Sequence, residues 1–582
     1  MMKDTSPAVA CQRALPARRA IRSTALASSE ELLAFLLNPG SYPHRPKQVH
    51  LLQTHASFVF IAPPYVFKVK KPVNFGFLNF SSLKNRRYFC EREVALNRRL
   101  APKMYLGVVP ISKIKGRLTF GARGMIVEYS VKMRKLAGAH FLDQRIKRGR
   151  VIPGDIDRIV TTLKAFYEKQ HPGEDVESWG RIDRLRISTD ENFQQIEEFV
   201  GAAVIYTDAS SGVRSGVGGA HDRPVNGTIS RPAFATIRFY TNEFYRCQGN
   251  LFAARVREKW IRDCHGDLHL EHIHLTPGDL NIYDCIEFND RFRYVDVASD
   301  AAFLAMDLDY KGRSDLGRYF ARRMAVELKD DGMPRLMDFY KCYRACVRGK
   351  VESLQSMART LPELERQAAA ERARRYFKLA LQYTVAGSQP MVLIVMGRIA
   401  SGKSTLALAL AAELGWPIHS SDRLRKQLAG SPLYERGGAA ARRRLYSAAM
   451  TEQTYRSLLG AAEAEVREGC SVILDATFAR REHRAAVCDH FSARRCAVVF
   501  IEAQTSDSVA KQRLKARELN LNEVSDARLE DFQKLDDHYD PPVELCGRRF
   551  APVRTTQSLE QTVTRALHSL ARLRLESPCP SP

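Results

Sequence analysis

A glycine-rich segment at 397–405, GRIASGKST, has the G-x-x-x-x-G-K-[ST] spacing of a phosphate-binding loop. It follows an apolar run typical of a strand and precedes a predicted helix, which is the context that the motif requires. Its glycines let backbone N–H groups wrap around phosphates, its lysine can reach the β- and γ-phosphates, and the hydroxyl after it can bind magnesium. The sequence therefore predicts a site for ATP and Mg²⁺ formed by Gly397, Arg398, Ile399, Ala400, Ser401, Gly402, Lys403, Ser404 and Thr405.

Two aspartates lie where strands of the same region are predicted to end. Asp475 closes the apolar run SVILDAT and is predicted to hold Mg²⁺, directly or through water. The alternative is a turn or helix-capping aspartate. Asp422, in SSDRLRK, follows the preceding predicted strand and is a candidate to accept the proton of a substrate hydroxyl. For this segment a simple helix cap, formed by Ser421 or Asp422, competes with the catalytic interpretation.

The segments GRIASGKST, SSDRLRK, SVILDATF and AKQRLKAR…SDARLEDF together resemble the P-loop kinase group that includes gluconate kinase and zeta-toxin-like proteins. The resemblance covers most of residues 391–545. It implies that Arg425 binds a substrate anion and that Arg513 and Arg517 are lid residues that clamp the transferring phosphate. Arginine suits both tasks because its planar fork is bidentate and always charged. Solvated arginines on a helix surface are the alternative for the two lid positions.

A second group of motifs, CHGDLHLEHIHL at 264–275 and IYDCIEFNDRFRYVDVASD at 282–300, resembles the catalytic and metal-binding motifs of the aminoglycoside phosphotransferase family. The resemblance implies that Asp267 is the catalytic aspartate and that Asp284 holds magnesium. Asp296, in YVDVASD, is interpreted as a residue that supports the metal loop. In this family an asparagine stands five residues after the catalytic aspartate, whereas this chain has His272. Because imidazole suits transition metals better than magnesium, we expect a weakened magnesium site there. The result would be a single-magnesium kinase, a nucleotide-binding domain with little turnover or a site that prefers manganese, and the alternative is a histidine that turns away and packs.

Upstream of these motifs, YVFKVKKP and CEREVAL offer the lysine and the glutamate of a kinase-like ion pair. By the same resemblance, Lys68 would contact the α- and β-phosphates and Glu93 would be its helical partner. Lys70 and Glu91 remain close alternatives. Over residues 45–545 the arrangement is similar to bifunctional bacterial proteins described as aminoglycoside phosphotransferase/ATP-binding proteins, a likeness that carries information on nucleotide chemistry and little on the acceptor.

The elements that must position these residues change character along the chain. Residues 49–131 are rich in strand patterns, with a helix expected at Leu83–Leu100, and helical periodicity dominates from Ile152 to Tyr383. This order predicts an α+β, two-lobed, protein-kinase-like domain at 29–386. After Pro390 strands and helices alternate, which predicts an α/β P-loop domain with a doubly wound parallel sheet at 387–582. Residues 1–28 are expected to be a disordered basic tail, and 208–232 a flexible insertion rich in Gly and Ser.

Composition limits the classes of function. The formal charge is +25, of which residues 390–582, with 28 basic and 23 acidic side chains, carry +5 and residues 1–389 carry +20. No uninterrupted basic block or aromatic-plus-basic motif accompanies this charge, so a solvated basic surface that attracts nucleotides is favoured over nucleic-acid binding. No apolar run is long enough for a membrane helix. The twelve scattered cysteines contain no CxxC pair, which favours reduced thiols and a cytoplasmic location.

The function predicted from these features is that of an ATP-dependent phosphotransferase with two nucleotide-binding modules. It would transfer phosphate to the hydroxyl of a small-molecule acceptor, with ATP and Mg²⁺ as cofactors. One alternative is a regulatory NTPase with an inactive kinase-like binding module, and another is a nucleic-acid end kinase. The acceptor and the oligomeric state are not predicted, because a nucleotide-binding motif fixes neither.

Overall fold

The computed structural model describes residues 29–76, 78–201, 227–435, 438–492, 496–518, 524–545 and 547–576. The predicted basic tail 1–28 and residues 208–226 of the predicted insertion lie outside this set. The chain divides into two compact units, Met1–Leu136 and Ala137–Pro582. Within the described ranges, no helix combines the length and the apolar character needed to cross a membrane.

The first unit contains an antiparallel sheet of six strands in the order β1-β2-β3-β6-β4-β5. Alternating apolar residues such as Phe60, Phe67 and Val69 fill a core on one face, together with residues from the first helix. The second helix contacts β4 and β6 and lies where the sequence predicts a helix. The elements are α1 (Ser29–Leu37), β1 (His50–Gln53), β2 (Ser57–Ala62), β3 (Tyr65–Lys70), α2 (Leu83–Asn97), β4 (Tyr105–Ile114), β5 (Arg117–Phe120) and β6 (Met125–Arg134).

The second unit begins with a region of helices and short strands, as the helical periodicity predicts. Its longest helices, α11 and α12, pack against each other, and α11 also packs against α9. The helices are α3 (Leu142–Lys147), α4 (Pro153–Glu168), α5 (Glu174–Glu177), α6 (Ile182–Glu197), α7 (Arg231–Cys247), α8 (Gly249–Arg257), α9 (Val297–Tyr310), α10 (Ser314–Leu328), α11 (Met333–Met357) and α12 (Glu363–Val385). The strands are β7 (Val200–Gly201), β8 (Ile229–Ser230), β9 (Ile261–Asp263), β10 (Ile273–Leu275), β11 (Leu280–Ile282) and β12 (Tyr294–Asp296).

A parallel sheet of five strands follows, in the order β14-β15-β13-β16-β17. Helices cover both faces, so the predicted doubly wound α/β arrangement is present. Because β13 is buried on both faces, it is apolar throughout rather than alternating. The strands are β13 (Met391–Met396), β14 (Ile418–Ser420), β15 (Val472–Asp475), β16 (Ala497–Gln504) and β17 (Phe550–Arg554). The helices are α13 (Lys403–Leu414), α14 (Ser421–Leu428), α15 (Ala439–Leu445), α16 (Ala448–Arg467), α17 (Arg481–Ser492), α18 (Asp507–Glu518), α19 (Phe532–Asp537) and α20 (Leu559–Glu576).

One hydrophobic core continues across the domain boundary predicted at 386/387. Buried residues of α12, such as Phe377 and Leu381, belong to the same cluster as Leu406 of α13 and Leu567 of α20. Helix α20 also packs along α7. The boundary between the compact units therefore lies at 136/137 and not at 386/387. The short loop before β13 ends helix α12, but the hydrophobic core continues on both sides of that loop. The predicted division into domains at 29–386 and 387–582 stays a prediction.

The end of the predicted flexible insertion is ordered. Residues 227–232 form strand β8 and the first turn of α7, with Ser230 as the cap of that helix. The buried Ser230 hydroxyl also donates to Glu413 at 2.5 Å, and Thr228 exchanges a hydrogen bond with Ser353 at 2.6 Å. The prediction of flexibility was therefore wrong for 227–232, because tertiary hydrogen bonds fix a segment whose composition is typical of a loop.

The α7–α20 interface carries a histidine that should make its stability depend on pH. His568 stacks on Phe239, with ring centroids 4.5 Å apart, and burial lowers its pKa, an effect to which Arg572 adds. In the unfolded chain the His568 imidazole is protonated below about pH 6.5, whereas in the folded chain it stays neutral to a lower pH. The free energy of unfolding should therefore fall as pH decreases through about 6.5. We expect His568→Phe, which keeps the stacked ring, to flatten this fall in thermal melts between pH 5 and 8. Identical slopes for the two proteins would contradict the assignment.

Candidate nucleotide and metal sites

The phosphate-binding loop lies between β13 and α13, as predicted. Gly397, Ala400 and Gly402 have φ values of 146°, 54° and 90°, a series of turns that wraps the chain around a small space. A side chain at Gly402 would stand 3.0 Å from the guanidinium of Arg513, so glycine is required there by both conformation and space. Lys403 then begins α13, whose N-terminal N–H groups and dipole favour an anion.

Ser404 and Asp475 meet at the base of this loop. The Ser404 hydroxyl donates to the Asp475 carboxylate at 3.1 Å, and Asp475 is the buried last residue of β15. Burial raises the pKa of Asp475, while the charge of Lys403 and the bond from Ser404 oppose that rise. Hydroxyl and carboxylate oxygens are the hard ligands that magnesium prefers, so these two residues fit the predicted Mg²⁺.

Asp422 and Arg425 project from α14 beside this centre. The charge of Asp422 contributes to the raised pKa of Asp475, after burial as the main cause. Arg425 is buried, stacks on Tyr446 and donates to the carbonyl of Leu445 at 2.9 Å. Its Nε is buried without a hydrogen-bond partner. The guanidinium implied to bind an anion therefore sits against the segment that joins α15 to α16.

The two predicted lid arginines lie on α18. Arg513 donates to the carbonyl of Ala400 at 3.3 Å and to that of Thr555 at 2.6 Å, so it braces the phosphate-binding loop. Burial lowers the pKa of Arg513, and the neighbouring charge of Arg517 lowers it further. Their clamping role stays a proposal. Sequence reasoning missed Thr555, whose hydroxyl also donates to the Ser401 carbonyl at 2.5 Å, because no motif surrounds it.

Residues of α18 and α19 contact other parts of the phosphate-binding loop. Arg398 is ion-paired with Asp536 and, at 2.9 Å, with Asp507. Ile399 and Ala400 belong to a small apolar cluster with Leu514. Thr405 is exposed on the first turn of α13. Beside the loop is a cavity of about 220 Å³, lined by Arg398, Ile399, Ser401, Glu502, Ala503, Gln504, Thr505, Asp507 and Ala510.

In the first unit, Glu93 of α2 is shared by two lysines of β3. Lys68 lies 3.0 Å and Lys70 2.7 Å from its two carboxylate oxygens, and Glu93 is fully buried. The alternative Glu91 instead pairs with Arg87 on the exposed side of the helix. The predicted Lys68–Glu93 pair is present, and Lys70, which the sequence offered as an alternative lysine, is a second partner.

In the second unit, the HGD segment brings Asp267, His269, His272 and Asp284 together. The Asp267 carboxylate lies 3.5 Å from a ring nitrogen of each histidine, and the other ring nitrogen of His272 lies 3.5 Å from Asp284. The ligand atoms of Asp267, His269 and His272 are all within 4.8 Å of one another. Asp284 has a left-handed backbone, φ 62°, that turns it toward this cluster.

The electrostatics of this cluster favour an ionised aspartate beside histidines. Burial opposes ionisation of Asp267, but His269 and His272 outweigh burial and hold its pKa well below the usual range. Burial also acts against protonation of His269, yet Asp267 raises the pKa of that histidine. For His272, burial and the neighbouring His269 lower the pKa.

The loop is held by residues that sequence reasoning did not single out. Asp300 of α9 accepts the backbone N–H groups of His265 and Gly266 at 3.0 and 2.8 Å, and Arg344 donates to the carbonyl of Gly266 at 3.1 Å. Asp296 caps α9 and pairs with the buried Arg255, in keeping with a supporting role. Lys68 and Glu93 belong to one compact unit, and Asp267 and Asp284 to the other. Their convergence in one cleft stays a prediction.

Comparison with known proteins places these features in context. Residues 392–542 match the family model described as AAA domain, which agrees with a nucleotide-binding P-loop region. Two relatives, the uncharacterized proteins Rv2004c of Mycobacterium tuberculosis and Mb2027c of Mycobacterium bovis, are each 31% identical over 469 residues. The alignment covers 81% of this chain and 86% of each relative. The chain belongs to the Rv2004c family. Because the alignment spans 469 residues, it extends far beyond 392–542.

Two solved structures are also similar to parts of the chain. A gluconokinase from Sinorhizobium meliloti is 22% identical, covers 32% of this chain and 93% of its own, and has a TM-score of 0.23. An ethanolamine kinase from Plasmodium vivax is 13% identical, covers 57% of this chain and 81% of its own, and has a TM-score of 0.32. Scores of this size do not by themselves establish a shared fold with this member of the Rv2004c family.

Proposed function

We propose that the chain is an ATP- and Mg²⁺-dependent phosphotransferase that acts on a hydroxyl group of a small molecule. The observation that carries the proposal is the contact of Ser404 with Asp475 at the base of the phosphate-binding loop. This contact joins two oxygen ligands to Lys403 and to the helix N-terminus, which is the set that a nucleotide with its magnesium requires. Asp422, at the start of α14, supplies a carboxylate whose charge acts on Asp475.

Each residue then has one role in the transfer. Lys403 would bind the β- and γ-phosphates, and Ser404 and Asp475 would hold Mg²⁺, which would neutralise charge on the phosphates. The oxygen of the acceptor hydroxyl forms a bond to the γ-phosphorus, and Asp422 accepts the proton that this hydroxyl loses. The bond from that phosphorus to the β,γ-bridging oxygen breaks, and ADP leaves. Arg513 and Arg517 steady the transferring group from α18.

The kinase-like region would be a second module of the same class. Asp267 would orient an acceptor hydroxyl, and Lys68, held by Glu93, would bind phosphates of a second ATP. Asp284 would hold magnesium, with His272 in place of the asparagine of the aminoglycoside phosphotransferase family. A regulatory NTPase is the second candidate, favoured by the hydrophobic core that α12, α13 and α20 share, since it ties the helix after the phosphate-binding loop to the kinase-like region.

The test is transfer of label from γ-labelled ATP by the full-length protein. Aminoglycosides, sugars, nucleosides and RNA ends would be screened as acceptors, with Asp489→Asn as a control on the exposed face of α17. We expect a labelled small molecule and, in an Asp267→Asn background that removes turnover by the kinase-like region, a loss of roughly 10²-fold or more with Asp422→Asn because the base is removed. Release of inorganic phosphate alone would support the regulatory NTPase, and labelled RNA would support the end kinase. Either result would contradict the proposal.

A further inference from the structure

The histidines of the HGD segment raise a question about metal chemistry that the proposed transfer does not answer. Magnesium is bound through oxygen and rarely through imidazole, whereas zinc and related transition dications accept both. Here two imidazoles and one carboxylate face one another, and the more buried imidazole, His269, is only 4% exposed. We propose that Asp267, His269 and His272 bind a transition-metal dication of the zinc type, in place of the acceptor-orienting role of Asp267 and the magnesium-binding roles of Asp284 and His272 given above. This site does not depend on the proposed function of the phosphate-binding loop.

The distances suit such an ion. Ligands about 2.1 Å from a tetrahedral metal are about 3.4 Å apart. The Asp267 carboxylate lies 3.5 Å from Nε2 of His269 and 3.5 Å from Nδ1 of His272. Three protein ligands leave a fourth position open, the pattern of reactive rather than structural zinc sites. Closure around an ion requires Nδ1 of His272 to give up its 3.0 Å contact with the Asp267 carbonyl.

The surroundings support the site in two ways. Nε2 of His272 lies 3.5 Å from Asp284, so a ring bound to metal through Nδ1 could donate its other N–H to that carboxylate. Carboxylates behind metal-bound histidines fix the ring and increase its basicity. The backbone is also fixed, because His272 donates to the carbonyl of His269 at 3.0 Å and Tyr283 to that of His272 at 3.0 Å.

The charge around the cluster is suitable for a dication. Besides Asp267 and Asp284, the carboxylates of Glu271 and Asp307 act electrostatically on its histidines. Among neighbouring cations, Arg348 acts on Asp267 and His269, and Lys311 acts on Glu271. A bound dication would therefore offset negative charge that these carboxylates bring to the cluster.

The proposal is tested by metal binding to the full-length protein, without any assay of turnover. Protein freed of metal by chelation, with exposed Cys247 and Cys470 alkylated, would be titrated with Co²⁺ in excess Mg²⁺. Calorimetry and the visible absorption of bound Co²⁺ would report binding, and Zn²⁺ would be used to displace it. We expect one tight equivalent that excess magnesium does not remove, because the oxygen sites then hold Mg²⁺.

Substitutions in the cluster test whether these residues bind the ion. His269→Gln with His272→Gln should weaken Co²⁺ binding by roughly 100-fold or more, and Asp284→Asn by roughly 10- to 100-fold. The matched control is His483→Gln with His490→Gln, which removes two histidines that pair with surface glutamates. His272→Asn, a conservative single change, guards against misfolding of the double variant, and far-ultraviolet circular dichroism checks each protein.

Two outcomes would overturn the proposal. One is binding that is unchanged in a folded cluster variant, and the other is binding that disappears in the control. Lys403→Ala separates this inference from the proposed function, because it should abolish use of ATP by the phosphate-binding loop and leave the Co²⁺ equivalent in place.

Discussion

Replacement of Lys403 by alanine is expected to reduce ATP turnover at the phosphate-binding loop by roughly 10²- to 10³-fold, the size of effect seen when one donor to developing charge is removed. The lysine begins α13, and its charge acts on Asp475 at the carboxyl end of β15. The Lys403 side chain is not part of the hydrophobic core, so the substitution should change the melting temperature little. The measurement is release of labelled phosphate or product from γ-labelled ATP by the full-length protein.

The kinase-like region could add its own turnover, so the assay is best made in an Asp267→Asn background as well. Lys515→Ala, which removes an exposed lysine of α18, is the matched control and should leave turnover unchanged. Turnover by Lys403→Ala within twofold of its parent in both backgrounds would remove the phosphate-binding loop from the proposed mechanism.

A second large effect concerns stability. Substitution of Asp296 by alanine is expected to lower the free energy of unfolding by about 3–5 kcal/mol, as breaking a buried ion pair usually does. Arg255 is 1% exposed and pairs with Asp296 at 2.6 Å and with Asp330, while Asp296 also caps α9 at Ala298. Removing Asp296 leaves a buried guanidinium with half of its counter-charge and takes away the cap.

Denaturant unfolding of the second unit, followed by circular dichroism, measures this effect. The exposed pair of Arg313 with Asp315, 2.7 Å apart, is the natural comparison, and Asp315→Ala should cost no more than about 1 kcal/mol. If Asp296→Ala were as mild as Asp315→Ala, and instead abolished metal binding, Asp296 would be a ligand rather than a support for α9.

The nucleotide-binding loop could be predicted from sequence because its chemistry is contiguous. A phosphate needs several N–H groups from one turn of chain, so the residues that bind it must follow one another, as 397–405 do. Asp475 was also predictable, since the carboxyl ends of parallel strands lie at one edge of a sheet. The role of Arg513 as a lid residue was inferred only from resemblance. Its hydrogen bonds to Ala400 and Thr555 join three segments that are far apart in the sequence, so no local pattern could predict them.

The pairing of Glu93 shows a different limit. Sequence reasoning treated Lys68 and Lys70 as alternatives, because one lysine per glutamate is the simplest assumption. Residues two apart on a strand face the same way, however, so both lysines reach the two oxygens of one carboxylate. Similarly, the loop before β13, which contains Gly and Pro, predicts a boundary between two domains. It does not indicate which helices pack against each other across that boundary.

The packing of α20 along α7 has a consequence for how the protein is made. Helix α7 ends at Cys247, and its partner begins at Leu559. At bacterial or eukaryotic rates of synthesis, α7 would leave the ribosome on the order of tens of seconds before α20 exists. During that interval the part of α7 that packs against α20 has no native cover, so the period before release is when chaperone engagement and premature association should concentrate. Slowing translation over 248–558 would lengthen that exposure without altering a single residue of the finished protein.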